Sequence, residues 1–168
     1  MPLATLTTLK NAIGGGVRPN MFRVTVLGNQ NIQTLCKATS LPGSTIGTIE
    51  VPMSGGRRYK LGGDRTFAEW SMTVLLDESY ALRRLFENTQ RAYVATDYDT
   101  VVTGNRSATS NFVNVKVEQL NETNTSIRTY ELKNAFISDI STIDLSYDST
   151  DAISEYTVTW VYDYFVTA

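Results

Sequence analysis

Between residues 153 and 166 the chain alternates with a period of two. Tyr156, Val158, Trp160, Tyr162 and Tyr164 fall on one face, with Glu155, Thr157, Thr159 and Asp163 mainly on the other. Side chains that change face at every residue define a β-strand with one buried side. A helix cannot hold that pattern, so the stripe predicts an antiparallel sheet packed on one face.

The same signal recurs along the chain. Residues 21–27 place Phe22, Val24 and Val26 together, and residues 31–39 form a second strand closed by Leu41-Pro42-Gly43. Residues 67–76 align Trp70, Met72, Val74 and Leu76, and residues 112–120 set Val113, Val115 and Val117 opposite Asn114, Lys116 and Glu118. Residues 121–126 turn that strand into another at 127–133, and residues 136–147 add one more before the Asp148-Ser149-Thr150-Asp151 turn. Residues 69–77 echo residues 155–163 in pattern.

Only one segment carries a strong helical period. Asp77 is placed as an N-cap with Glu78 in the first turn, and Leu82, Leu85, Phe86 and Thr89 make an i, i+3, i+4, i+7 stripe. Arg83, Arg84, Glu87 and Arg91 fall on the side assigned to solvent. The expected fold is therefore mainly β, an antiparallel sandwich or barrel with one flanking helix. Residues 1–19 read as an N-terminal arm broken at Gly14-Gly15-Gly16, and residues 20–168 as the domain.

Residues 44–65 are unusual for a compact domain. A strand at 46–51 leads into Pro52-Met53-Ser54-Gly55-Gly56, a basic run Arg57-Arg58-Tyr59-Lys60-Leu61, then Gly62-Gly63. This predicts a long projecting hairpin with flexible glycine roots. A phosphate cradle is the competing reading, but the spacing of a P-loop is absent.

Composition removes much of enzyme chemistry. Among 168 residues there is no histidine and one cysteine, Cys36. The commonest general base, the commonest metal ligand and any intrachain disulfide go with them. Cys36 reads as a small buried side chain in mid-strand. Asp97-x-Asp99 lacks the rest of a calcium loop. A carboxylate-dependent hydrolase would need paired acids, and Glu69 with Glu155 is the one candidate pair. With 15 basic and 17 acidic residues the net charge of -2 opposes a nucleic-acid grip, despite the local cluster Arg57, Arg58, Lys60 and Arg65. No stretch has the length of a membrane span, and no signal peptide, catalytic residue, metal or cofactor is expected.

Several short motifs resemble those of the tail tube proteins of contractile-tailed bacteriophages. They are Arg18-Pro19-Asn20-Met21-Phe22, Cys36-Lys37-Ala38-Thr39-Ser40-Leu41-Pro42, Gly63-Asp64-Arg65-Thr66-Phe67 with Trp70, and Tyr156-Thr157-Val158-Thr159 near the end. They occur in order from Arg18 to Tyr164. The resemblance implies a structural, non-enzymatic virion protein, assembled in the host bacterial cytoplasm into hexameric rings. The rings would stack as a tail channel for DNA ejection, with sheath, baseplate and terminator proteins as partners. An inner tube of a phage-derived bacteriocin or secretion needle is the alternative. In this family the loop at about residues 41–65 joins ring to ring, which makes Met53, Arg57, Arg58, Tyr59, Lys60, Asp64 and Arg65 the expected stacking residues. The polar face of the second hairpin, Asn114, Lys116, Glu118, Thr129 and Glu131, is the expected lumen wall. Duplex DNA would be a passenger that does not stick.

Overall fold

The computed structural model describes residues 6–26, 31–93, 112–148 and 150–168. The Gly28-Asn29 turn, Asp97, Asp99, the whole polar stretch from residue 94 to residue 110, and Ser149 of the 148–151 turn lie outside them. The chain runs through α1 (Leu6–Ile13), β1 (Phe22–Val26), α2 (Asn31–Leu35), β2 (Cys36–Thr39), β3 (Ser44–Pro52), β4 (Arg58–Phe67) and β5 (Trp70–Leu75). It continues with α3 (Ala81–Tyr93), β6 (Val113–Leu120), β7 (Ser126–Ile140), β8 (Glu155–Val161) and β9 (Tyr164–Thr167).

Seven strands join in one antiparallel sheet of order β1-β6-β7-β8-β5-β2, with β9 added beside β7. β7 belongs to two four-stranded halves. Its first part pairs with β6 and β9, and its last part pairs with β8. The switch falls at Asn134, whose φ is +54°. There the buried positions slip from Leu132 to Ala135 and Ile137, one residue out of phase with simple alternation. The neighbouring chain bends at the same level, between β8 and β9. Asp163 N–H donates to the Lys133 carbonyl at 3.1 Å, and Asn134 Nδ2 donates to Asp163 Oδ2 at 2.7 Å.

This corner corrects two expectations. Residues 127–133 and 136–147 are not separate strands but one fifteen-residue strand ending at Ile140. Residues 153–166 are two strands, and the break after Tyr162 leaves Tyr164 exposed while Phe165 turns toward the core. A third correction concerns residues 31–39, which begin as the short helix α2 and only then extend as β2. Ile32 is the reason the helix is held there: its side chain is fully buried.

One core draws on both halves. Val24, Val26, Val115, Val117 and Leu132 come from one half, and Trp70, Met72, Val74, Tyr156, Val158 and Trp160 from the other. α3 enters through Leu82 and Phe86, with Phe86 edge-on to Trp160 and Tyr156 at 6.2 and 6.4 Å between centroids. Burying each such side chain contributes about 1.5–3 kcal/mol. The helix starts at Ala81, later than the Asp77 N-cap implied, and Glu78 lies in the turn before it. Asp77 still caps from a distance, because its Oδ2 accepts the Ala81 N–H at 3.1 Å. By contrast α1 buries nothing, and Leu6, Leu9 and Ile13 are exposed.

Candidate functional site

Two surfaces gather the residues singled out by the sequence. The first is the ribbon formed by β3 and β4, a separate two-stranded sheet. Its turn is closed by the Met53 N–H donating to the Arg57 carbonyl at 2.8 Å, and Gly55 and Gly56 supply the φ values of +86° and +76° that the turn needs. Opposite pairs share a face, so Ile49 with Leu61 and Val51 with Tyr59 make an apolar side. Glu50 with Lys60 and Pro52 with Arg58 make the other. Every residue of β3 is exposed, and its large apolar members together with Met53, Tyr59 and Leu61 stay between 41% and 59% exposed.

Gly62 and Gly63 are not flexible roots. They sit inside β4, where Gly62 pairs with Thr48 at an irregularity in the ladder. A Cβ on Gly63 would meet the Gly47 backbone at 3.2 Å, so this glycine permits close approach of two strands. The root is anchored instead by Phe67, whose ring packs on Phe165 and Tyr162 at 5.4 and 6.0 Å. Trp70 Nε1 donates to the Ser40 carbonyl at 2.6 Å and ties both arms of the ribbon to the domain.

Sequence reading missed Glu50. Arg58 Nη1 lies 2.7 Å and Lys60 Nζ 3.6 Å from its carboxylate, so two of the four ribbon cations share one anion. The β-period from Ile49 to Val51 already placed Glu50 on the opposite face from those residues. Arg57 and Arg65 have no ion-pair partner among the described residues. All seven expected stacking residues lie on this one ribbon.

The second surface is the outward face of the half-sheet β1-β6-β7-β9. Asn114, Lys116 and Glu118 alternate with buried Val113, Val115 and Val117. Register sets Lys116 opposite Glu131 and Glu118 opposite Thr129, so four of the five expected wall residues form two cross-strand pairs. Arg23 and Thr25 on β1 and Lys133 on β7 join them. Arg23 is 3.6 Å from Glu118, and Lys133 is 2.7 Å from Glu131. A hydrogen bond from the Lys133 ammonium, aided by the charges of Lys133 and Lys116, holds the Glu131 carboxyl below its usual value against the opposing effect of desolvation. Lys116 against Glu118 and Glu131 leaves one negative charge; adding Arg23 and Lys133 turns the balance to one positive.

The acidic pair considered for hydrolysis does not converge. Glu69 precedes β5, whereas Glu155 faces Leu75 at the other end of that strand and pairs with Lys37. Cys36 is half-buried, and burial pushes its thiol up to about 11, which suits a packing role rather than a nucleophile.

The family of phage tail tube proteins matches residues 7–168. Tail tube protein gp19 of Enterobacteria phage T4 is 31% identical over 153 residues, covering 90% of this chain and 91% of that protein, and its counterpart in phage T6 matches equally. Among solved structures, a chain of the PVC sheath–tube complex, an extracellular contractile injection system in the extended state, superposes with a TM-score of 0.68. It shares 13% identity and covers 98% of this chain and 99% of its own. A chain of the anti-feeding prophage cap also gives 0.68, at 16% identity over 90% of each chain. At such identities these two show a shared fold. With a family match that begins at residue 7 and reaches the last residue, and relatives nearly a third identical across nine-tenths of their length, this chain belongs to the phage tail tube protein family.

Proposed function

We propose that the protein is the subunit of a virion tail tube. Copies join edge to edge into hexameric rings, the rings stack through the β3–β4 ribbon, and the bore carries duplex DNA during ejection. The observation that carries this reading is the half-sheet β1-β6-β7-β9. Among the described residues β1 pairs only with β6 and β9 only with β7, so the layer has two free edges. Free edges of this kind invite another chain, and pairing β9 of one copy with β1 of the next is a head-to-tail contact that closes as a ring. Six copies would contribute roughly 24 strands at about 4.8 Å each, a circumference near ~115 Å. The outward polar face would then line the bore.

The charges on that face suit a passenger that slides. Its two carboxylates stand beside cations of the same face, so one cation of three per copy is left in excess to release counterions from DNA at each step. Nothing in this mechanism needs a catalytic group. Sheath, baseplate and terminator proteins would be the partners along the outer wall and at the tube ends, in a tail assembled in the host bacterial cytoplasm. The identity to phage proteins favours this reading over a bacteriocin or secretion needle, since the likeness to injection systems rests on fold alone.

Negative-stain electron microscopy of the purified protein tests the proposal. Rings or tubes of uniform diameter are expected at high concentration. A protein that stays monomeric at every concentration and salt, even with a tail initiator complex supplied, overturns it.

A further inference from the structure

The ribbon and the loop whose described residues are 141–148 and 150–154 lie at opposite ends of one half-sheet. Both connections to the ribbon leave where Trp70 pairs with Trp160 and Thr39 with Met72. At the other end of β5, Leu75 faces Glu155 and the Leu76 N–H donates to the Ser154 carbonyl at 2.9 Å. Six residues of strand, roughly 20 Å, separate the two.

The loop exposes side chains that isolated domains keep covered. Leu145, Tyr147 and Ile153 are 84%, 103% and 71% exposed. Asp144, Asp148 and Asp151 are interleaved with them, and none has an ion-pair partner among the described residues. From residue 134 to residue 168 the chain has no lysine or arginine at all. The ribbon has the complementary character. Arg57, Arg58, Lys60 and Arg65 outnumber Glu50 and Asp64, and Met53 and Tyr59 are exposed beside them.

We propose that the ribbon tip of one copy docks on the 141–154 loop of a copy in the next ring, a contact that rests on the stacked-ring reading above and names its receptor. Nine residues of β3 span roughly 30 Å, enough to reach past the end of their own sheet. Two different surfaces at opposite ends of one subunit repeat without closing, which is the geometry of a filament. Repetition of the contact around a ring of identical copies multiplies its effect.

The test is a charge swap in the full chain, read as pelleted tube. Arg57→Glu alone, and Asp144→Lys with Asp148→Lys alone, should each lower tube yield at least about tenfold at physiological salt while rings persist. The combined variant should recover most of that loss. A second arm places Met53→Cys and Tyr147→Cys in a Cys36→Ser background, where oxidation of assembled tubes should give a ladder of disulfide-linked subunits. Normal tubes from the loop variant, a combined variant no better than the worse parent, or tubes without the ladder overturn the inference and leave the stacked-ring reading standing. If the unaltered protein makes no rings or tubes, both fall.

Discussion

The guanidinium carbon of Arg83 lies 5.2 Å from the centroid of the Tyr156 ring. The same side chain donates from Nε to Glu87 at 2.9 Å and from Nη1 to the Ser141 carbonyl at 3.3 Å. A residue that helical periodicity assigns to solvent thus pins α3 to β8 and to the start of the 141–154 loop. Arg83→Ala should cost about 1 kcal/mol, from a partly exposed cation–π contact and a long, charge-assisted hydrogen bond to a backbone carbonyl. Thermal melts should fall by roughly 2–4 °C. Arg83→Lys should recover only part, because an ammonium lacks the planar fork. A melt for the alanine variant equal to that of the unaltered protein would show that the contact contributes nothing.

Asp77 links stability to acid. The Ser79 hydroxyl, foremost, and the backbone N–H groups of Ala81 and its neighbours hold its carboxyl below the ordinary 3.8, against desolvation. A folded value below the unfolded one means the contribution is present above the unfolded value and is lost as pH falls through the folded one. Asp77→Ala should therefore be less stable by about 1 kcal/mol at neutral pH. Urea melts should show the gap closing below pH 3.8; a gap that persists there would exclude the carboxylate as its source.

Cys36 behaves in the opposite sense. Burial, only partly offset by its contact with the Ala38 carbonyl, raises the thiol from 9.0 to about 11. Its contribution is present below the unfolded value and is lost as pH rises through the folded one. At pH 8 alkylation of the folded protein should run about 100-fold slower than of the unfolded chain, since the thiolate is the nucleophile. Equal rates in buffer and in urea would contradict this placement.

Replacing residues 53–61 with a short Gly-Ser linker should leave the domain folded and abolish polymerisation. None of these residues is buried, and Phe67 and Trp70, which anchor the root, stay in place. Melting temperature and sedimentation read the two effects separately. Normal tubes from the shortened chain would show that the ribbon is not the stacking element.

Assembled tubes should bind linear duplex DNA no more tightly than a generic acidic protein at physiological salt. Exposed charges on the proposed wall are screened beyond about 8 Å, and its two carboxylates neutralise two of its three cations. Gel-shift titration at several salt concentrations checks this. Submicromolar binding with a steep negative salt slope would mean a surface that grips DNA.

Local pattern alone determined that most of the alternating segments extend and which face they bury, residues 31–35 and Tyr164 excepted. Val24 and Val26, Val113 to Val117, and Tyr156 to Trp160 all bury the side their alternation indicates, and Leu82 with Phe86 seats the one long helix. It also isolated the ribbon, because apolar and basic residues around paired glycines have no place in a compact core. Tertiary structure alone decided how strands divide. At Asn134 and Asp163 two adjacent chains bend together, and the hydrogen bonds between them make one strand of two and two of one. Residues 31–35 coil into a helix because Ile32 fills a space in the core, a demand set by distant strands. Which cations meet Glu50, and that Arg83 rests on Tyr156, depend in the same way on register and on packing between elements far apart in the chain. A sequence lists charges and periods. It does not list the neighbours that the folded sheet brings to them.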